Sequence, residues 1–441
     1  MASIAEVAPA IERVLSAVAD QMARTSHFVQ RRSKLTGAIF VQTLVLSWLQ
    51  RPQASLAELS QTAAHLGVAI TPQGLAERFT DRATILLEEV LNAAVTEVIA
   101  ADPVAVPLLR RFSAVTVQDS STIALPPALS GIWRGCGGTT PEGEAALKIQ
   151  VRFDLLSGRL EGPLLEDGRA ADPRTRLQTT AQPRGTLRLQ DLGYFRLDVL
   201  ADLSEQQIFW LTRLLVNTTV LTPAGQPLDL TVVLPAVVGA TYDQPVLLGS
   251  QQRLPARLLA VRVPQEVADQ RRRKLRAEAR HYGRTVSQAR LRLADWTILV
   301  TNLPPDRLTV PEALVLYRAR WQVELLFKLW KQHGLLDTST SAQPWRILCE
   351  VYAKLLALLL QHWLALIGCW AFPDRSLVKA AQAIRSSASL LTTALAGAFP
   401  LALALAQIQL RLASPGCRLN PRKTAPNTYQ LLLAFPGEIL T

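Results

Sequence analysis

The hydrophobic period of this chain changes twice. Near residue 106 the spacing of apolar residues passes from about 3.6 to 2, and near residue 311 it passes back. Helices and strands must each bury one face, so the middle of the chain needs a sheet and the two ends must supply helices. Helix and strand together put the expected fold in the α/β class, with helical N- and C-terminal regions. At 441 residues the chain is long enough for about two to four domains with cores of their own. A hydrophobic content of 49% against 19% charged residues excludes general disorder.

Residues 1–105 read as helices. Ser55 opens SLAELSQTAAHLG, with Leu56, Leu59, Ala63 and Leu66 at helical spacing and Gly67 as a stop. Thr71 caps, and Pro72 starts, a helix expected to run through TPQGLAERFTDRATILLEEVLNAAV. Helix-turn-helix pairs read DNA, and they also occur in proteins that touch none. Arg24, Arg31, Arg32 and Lys34 form a basic cluster suited to a phosphate backbone or to a solvated face. From 106 onward AVTVQD, ALKIQVRFD and TLRLQD alternate as half-buried strands do, and strands are expected to about 263. A tract with six basic residues follows at Arg271 to Arg280, then the strand-like WTILVTNL, then a long helix from near Pro311 to Gly334. The remainder reads as apolar helix with a polar, Pro-containing tail.

The chain carries 47 basic and 35 acidic residues, a net +12, and 39 of the basic residues are Arg. Guanidinium groups fork onto phosphate oxygens and stack on flat rings, which favours a polyanionic partner. A GC-rich coding sequence explains the Arg to Lys ratio equally well, but not the net charge. Cys136, Cys349, Cys369 and Cys417 lie far apart without metal or disulfide spacing. His27, His65, His281, His333 and His362 show no metal spacing either. The N-terminus lacks the pattern of a signal peptide, so a cytoplasmic protein is expected. Val351 to Phe372 and Ser386 to Leu410 raise the question of a membrane. Lys354, Gln361 and His362 interrupt the first and Gly397 and Pro400 the second, so a buried helical layer is expected instead.

Strand phase singles out two acids. Val115 and Val117 share a face on which Asp119 falls next; Leu187 and Leu189 share a face on which Asp191 falls next. A carboxylate where the pattern calls for an apolar side chain is paired, metal-bound or at a strand end. Asp154, by contrast, is out of phase with Ile149, Val151 and Phe153 and reads as a solvated residue. Magnesium takes carboxylate oxygens, and two or three acids hold a metal pair with no His or Cys. Asp119 and Asp191 are candidate ligands, or else strand-end turn residues.

The long helix offers a third acid. At about 100° per residue, Tyr317, Arg320, Glu324 and Lys331 fall within an arc of about 60°, with Lys328 and Trp321 beside it. Ala319, Val323, Leu326 and Trp330 take the opposite side. A solvated amphipathic helix gives the same gross pattern. An acid flanked by two cations and an aromatic hydroxyl also suits phosphodiester chemistry.

At these residues the chain resembles bacterial insertion-sequence transposases of the DDE class that bear the YREK signature. YRARWQVELLFKLWK places Tyr317, Arg320, Glu324 and Lys331 at every required spacing. By that resemblance Asp119 in QDSST matches the first catalytic Asp, Asp191 in QDLGYF the second, and Glu324 the catalytic Glu. The resemblance implies an RNase H-like mixed sheet core flanked by helices and interrupted by a mainly β insertion. It further implies a helical DNA-binding region at 1–105, core segments at 106–197 and 295–345, the insertion at 198–294 and a helical region at 346–441. The gap of 133 residues between Asp191 and Glu324 is too long for one ordinary connection.

The implied activity is cut-and-paste DNA transposition. Two magnesium ions, with manganese able to substitute, would be held by the three acids for cleavage at terminal inverted repeats and strand transfer to target DNA. Tyr317, Arg320, Lys331 and Lys328 would contact double-stranded DNA. Trp296 resembles a Trp that stacks on a flipped base, or it packs in the core. A homodimer in the synaptic complex, near the bacterial nucleoid, is implied as well. The competing readings are an inactive or domesticated DNA-binding relative and an RNase H-like structure-specific nuclease.

Overall fold

The computed structural model describes residues 2–137, 143–339, 341–420 and 426–435. The Pro-containing tail expected from the sequence lies partly outside the described residues. The chain begins with helices α1 (Ile4–Glu12), α2 (Ala19–Thr25), α3 (Gly37–Gln50), α4 (Leu56–His65), α5 (Pro72–Ala76) and α6 (Asp81–Thr96). Strands β1 (Val115–Leu125), β2 (Ala145–Asp154), β3 (Leu160–Asp167) and β4 (Leu187–Gln190) come next, then α7 (Leu197–Glu205), β5 (Phe209–Arg213), β6 (Val220–Leu221) and α8 (Leu230–Val233). They are followed by β7 (Thr241–Leu248), β8 (Leu254–Arg262), α9 (Gln265–His281), α10 (Gln288–Leu293) and β9 (Trp296–Thr301). The chain closes with α11 (Val310–Ala319), α12 (Gln322–Lys328), α13 (Pro344–Gly368), α14 (Leu377–Arg385), α15 (Ala388–Leu395), α16 (Leu401–Ala413) and α17 (Thr428–Leu433).

The strands form one mixed sheet in the order β3-β2-β1-β4-β5-β9-β8-β7-β6. The chain divides into two compact units. One comprises Met1–Ala105, Asp119–Ala171 and Gln322–Tyr429, the other Val106–Gln118, Asp172–Trp321 and Gln430–Thr441.

The first unit is built around α13, which packs against α3, α6, α14 and α16. Every side chain from Leu348 to Ile367 is buried. Among the described residues α13 is the helix long and apolar enough to cross a membrane, and its apolar stretch is wholly buried within the chain. Two of its buried polar side chains bond loop backbone, while Gln361 Oε1 has no hydrogen-bond partner among the described residues. Lys354 Nζ donates to Leu335 O (2.8 Å) and Thr338 O (2.7 Å) and pairs with Glu350 at 2.9 Å. His362 Nε2 donates to Gly158 O at 2.7 Å, and Trp370 Nε1 to Leu156 O at 3.0 Å. The β2–β3 turn is thereby fastened to α13.

The second unit holds β1 up to Gln118, parallel to β4 with Val115, Thr116 and Val117 opposite Leu187, Arg188 and Leu189. β5 runs parallel to β4, and β9, β8, β7 and β6 follow antiparallel. Its core gathers Leu200, Trp210, Leu258, Trp296 and Val300. Arg111 and Glu312, both 4% exposed, form an ion pair at 2.9 Å that pins the start of α11. Glu312 also closes a capping box with Thr309.

Four expectations are corrected. The helix expected to continue through 72–96 stops at Ala76 and restarts at Asp81, because Thr80 accepts from Ala83 N and caps anew. Asp154 is 8% exposed, not solvated. β2 is buried on both faces, and Asp154 accepts from Leu156 N (3.0 Å) and Ser157 N (3.1 Å) at its end. Residues 198–294, expected to be mainly β, hold more helix than strand, since α9 carries its inward positions within an arginine tract that masks the helical period. The helix expected from Pro311 to Gly334 is interrupted, as described below.

Gly158 has φ +73°, and a Cβ there would lie 2.4 Å from Leu366 Cδ2. Gly158→Ala should therefore destabilise the protein by about 2–4 kcal/mol in thermal unfolding, through backbone strain and overpacking together. Burial pulls the His362 imidazole from 6.5 to about 4. The unfolded ring protonates first, so the folded neutral ring contributes stability in full above pH 6.5 and loses it as pH falls toward 4. The contribution is on the order of 3 kcal/mol. His362→Phe should flatten the acid side of the urea-unfolding stability curve over that window, and an unchanged curve would count against the assignment.

Candidate active site

In the second unit, Asp191 directly follows β4, where its backbone carbonyl accepts from Tyr194 N at 3.0 Å and opens a short turn. Its side chain is 44% exposed and lies 3.9 Å from Arg320 Nη1. That separation is too long for a strong hydrogen bond. The Arg320 guanidinium is buried and stands 5.8 Å from the centre of the Tyr317 ring. Tyr317 Oη is buried and has no hydrogen-bond partner of good geometry among the described residues. Burial pushes the Tyr317 phenol up to about 12, with Arg320 and Arg213 pulling it down and Asp191 pushing it further up. The phenol is therefore neutral at any physiological pH and acts as a hydrogen-bond donor, not as a base. The influence of Arg213, at the end of β5, has no signal in the sequence.

In the first unit, Asp119 sits within β1 and not at its end, at the point where the strand passes from fully buried residues into the half-buried Asp119, Ser120 and Ser121. Its Oδ1 accepts from Ser120 N at 2.8 Å. Glu324 is half-buried on the first turn of α12, and Lys328 is exposed at its end. Lys331 Nζ donates to Thr122 O at 2.9 Å and lies 4.0 Å from Asp337. This bond ties the segment that carries Glu324 to the strand that carries Asp119.

The expected uninterrupted helix is broken in two places. Arg320 N and Trp321 N bond only three residues back, to Tyr317 O (3.2 Å) and Arg318 O (3.2 Å), so a tightened turn separates α11 from α12. Leu329–His333 then forms a π-type turn, followed by Gly334, whose Cβ would lie 2.5 Å from Trp330 O. An ideal 100° wheel thus holds within each half but not from Tyr317 through to Lys331. The break leaves Trp321 54% exposed beside Arg320. Its place next to the Tyr317, Arg320 and Glu324 arc was the available sequence signal.

Trp296 opens β9 and is 8% exposed. Its Nε1 donates to Pro235 O at 3.0 Å, and the Arg262 guanidinium lies 5.2 Å from its ring centre. The structure places it in the core of the second unit.

Asp119, Asp191 and Glu324 offer only carboxylate oxygens, the donor chemistry that a hard divalent cation takes. Asp119 and Glu324 fall in one unit and Asp191 in the other. Among the described residues no group of three or more His, Cys, Asp or Glu side chains is placed to hold a metal ion.

Comparison with known proteins places the chain in a family. The Transposase DDE domain matches residues 110–360, a span that includes all three acids. The transposase of insertion sequence element IS231F from Bacillus thuringiensis subsp. israelensis is 27% identical over 365 residues, covering 77% of this chain and 76% of its own. The transposase of IS231C from Bacillus thuringiensis subsp. berliner is 28% identical over 363 residues, covering 77% and 75%. The transposase of IS1151 from Clostridium perfringens is 24% identical over 372 residues, covering 77% and 76%. The chain belongs to the Transposase DDE domain family and is a DNA transposase of the bacterial insertion-sequence kind.

Proposed function

We propose that this transposase uses Asp119, Asp191 and Glu324 to hold divalent cations, cuts double-stranded DNA at the terminal inverted repeats of its element, and joins the freed 3′ ends to target DNA. The observation that carries this reading is the register of β1 on β4. Val117 pairs with Leu189, and each acid follows such a paired, buried residue by two positions in its own chain segment. The order β3-β2-β1-β4-β5, with β1, β4 and β5 parallel and β2 and β3 antiparallel, supports an RNase H-like core. The expected insertion at 198–294 includes β5, which belongs to that core order, so the inserted part between the second Asp and the Glu begins after Arg213.

When bound, two magnesium ions, or manganese in their place, supply charge stabilisation to the attacking and leaving oxygens. The protein side chains do the rest. Arg320, held loosely to Asp191 at 3.9 Å, can turn its fork onto a DNA phosphate once that carboxylate has another partner. Tyr317, neutral and without a good hydrogen bond of its own, donates to a phosphate oxygen. Lys331 spends one of three donors on Thr122 O and offers the others to the backbone beside the cut, with the exposed Lys328 one turn earlier. Trp296 takes an unstacked base only when its bond to Pro235 opens. Cutting two ends in one complex calls for a homodimer at the nucleoid.

A second reading, a DNA-binding relative that does not cut, draws on the lack of a three-carboxylate group among the described residues. Nicking of a plasmid that carries the element ends separates the two. Asp119→Asn, Asp191→Asn and Glu324→Gln should each lower magnesium-dependent nicking at least about a hundredfold while leaving thermal unfolding near wild type. Wild-type protein that binds the ends but never nicks them would establish the second reading.

Tyr317→Phe removes a buried hydroxyl that makes no good bond, so its stability should match or exceed that of wild type. Its nicking rate should fall by about ten- to a hundredfold through loss of one bond to a charged phosphate. An unchanged rate would remove Tyr317 from the site.

A further inference from the structure

The arginine tract takes no part in the chemistry above. Residues 265–292 form a helical hairpin, α9 and α10, in the second unit. They hold nine basic and three acidic residues, a net +6 that is half of the +12 of the whole chain.

The cations divide between two faces. Ala268, Arg271, Arg272, Leu275 and Ala279 are at least partly buried and lie within an arc of about 100°. This face is the root of the hairpin. Arg271 donates to Trp296 O (3.0 Å) and Thr297 Oγ1 (3.0 Å), and Arg272 donates to Leu291 O (3.2 Å) and pairs with Asp269 (2.7 Å) and Asp295. Arg273, Lys274, Arg276 and Arg280 are exposed and occupy the opposite arc of about 160°. Arg284 in the loop and Arg290 and Arg292 on α10 are exposed too, with Tyr282 standing 70% exposed at the tip. Glu266 and Asp269 also stand exposed in the first turns of α9, and Glu278 lies at the edge of the outward arc, 3.9 Å from Lys274, so the positive charge gathers toward the tip.

A surface that needs only solubility mixes charges of both signs, because a one-signed face repels itself. Here the stretch from Arg273 to Arg292 exposes seven cations against one acid, Glu278, and is mounted on a fastened root. A membrane-surface helix would need a broad apolar face as well. On α9 the exposed large hydrophobic side chain is Val267, at 37%. The helix is about 25 Å long, which matches about seven phosphates along one strand of a duplex.

We propose that the α9–α10 hairpin is a phosphate-binding arm that grips the backbone of double-stranded DNA without reading its sequence. The proposal rests on the DNA-transposase reading for its polyanion, but its site is separate from the acids.

The test is the salt dependence of binding to a mixed-sequence DNA duplex, followed by fluorescence anisotropy. A variant with Arg273→Gln, Lys274→Gln, Arg276→Gln and Arg280→Gln should lose about 0.9 from the slope of log K against log salt for each contact removed, about 2–4 in all. A variant with Lys at all four positions should keep the slope, because counterion release follows charge. Both should unfold at the wild-type temperature, since the outward face supports nothing. An unchanged slope in the Gln variant, or an equal loss in the Lys variant, would overturn the arm. A Gln variant that loses binding to phosphatidylserine vesicles but keeps its DNA slope would overturn it as well. Magnesium-dependent nicking by wild-type protein is measured alongside. Absence of nicking counts against the proposed catalysis alone, and an unchanged slope against the arm alone.

Discussion

A single buried ammonium holds much of the first unit in register. Lys354 is 2% exposed in the middle of α13 and divides its donors among Glu350, Leu335 O and Thr338 O. A charge in that position is tolerated only when paired and fully hydrogen-bonded. The carbonyls it requires belong to the loop that directly follows the segment carrying Glu324, Lys328 and Lys331. Ser339 donates to Glu350 at 2.7 Å and secures the same loop from its other end. His362 and Trp370 fix the β2–β3 turn by the same device, a polar side chain in the greasy layer bonded to a loop carbonyl. The apolar helix therefore positions loops, and Lys354 and His362 mark the places where it does so.

Around Asp191 the balance is electrostatic. Arg320 is buried yet only 3.9 Å from the carboxylate, close enough to compensate its charge and too far to be locked onto it. Tyr317 adds a neutral donor whose proton burial has made hard to remove. Such groups suit a ligand that brings negative charge, because a guanidinium fork and a neutral hydroxyl both donate to anionic oxygens. Arg111 and Glu312 meanwhile anchor the start of α11 far from that exchange.

The site was legible in part, and the reason is periodicity. A carboxylate in phase with a buried strand face violates the alternation rule, and Asp119 and Asp191 stood out on that account. Asp154 shows the limit of the same rule. Phase assigns a residue to a face but cannot say whether that face is covered, and β2 is covered on both sides. The wheel through Tyr317, Arg320, Glu324 and Lys331 picked out one narrow stripe while assuming one straight helix. The tightened turn at Arg320 and Trp321 and the π-type turn before Gly334 have no local signal; at Gly334 an added Cβ would lie 2.8 Å from Leu358 Cδ2 of α13.

By itself the sequence determined the class of fold, the separate helical and strand-rich stretches, the net positive charge of residues 265–292 and the candidate acids. All of these follow from local spacing and side-chain chemistry. Only the tertiary structure decided which Arg is a root and which faces water, that Trp296 packs while Trp321 is bare, and that the charges of Arg320, Asp191 and Arg213 act on Tyr317. These outcomes depend on which distant segments cover a residue, and burial is set by three-dimensional packing that no local period encodes.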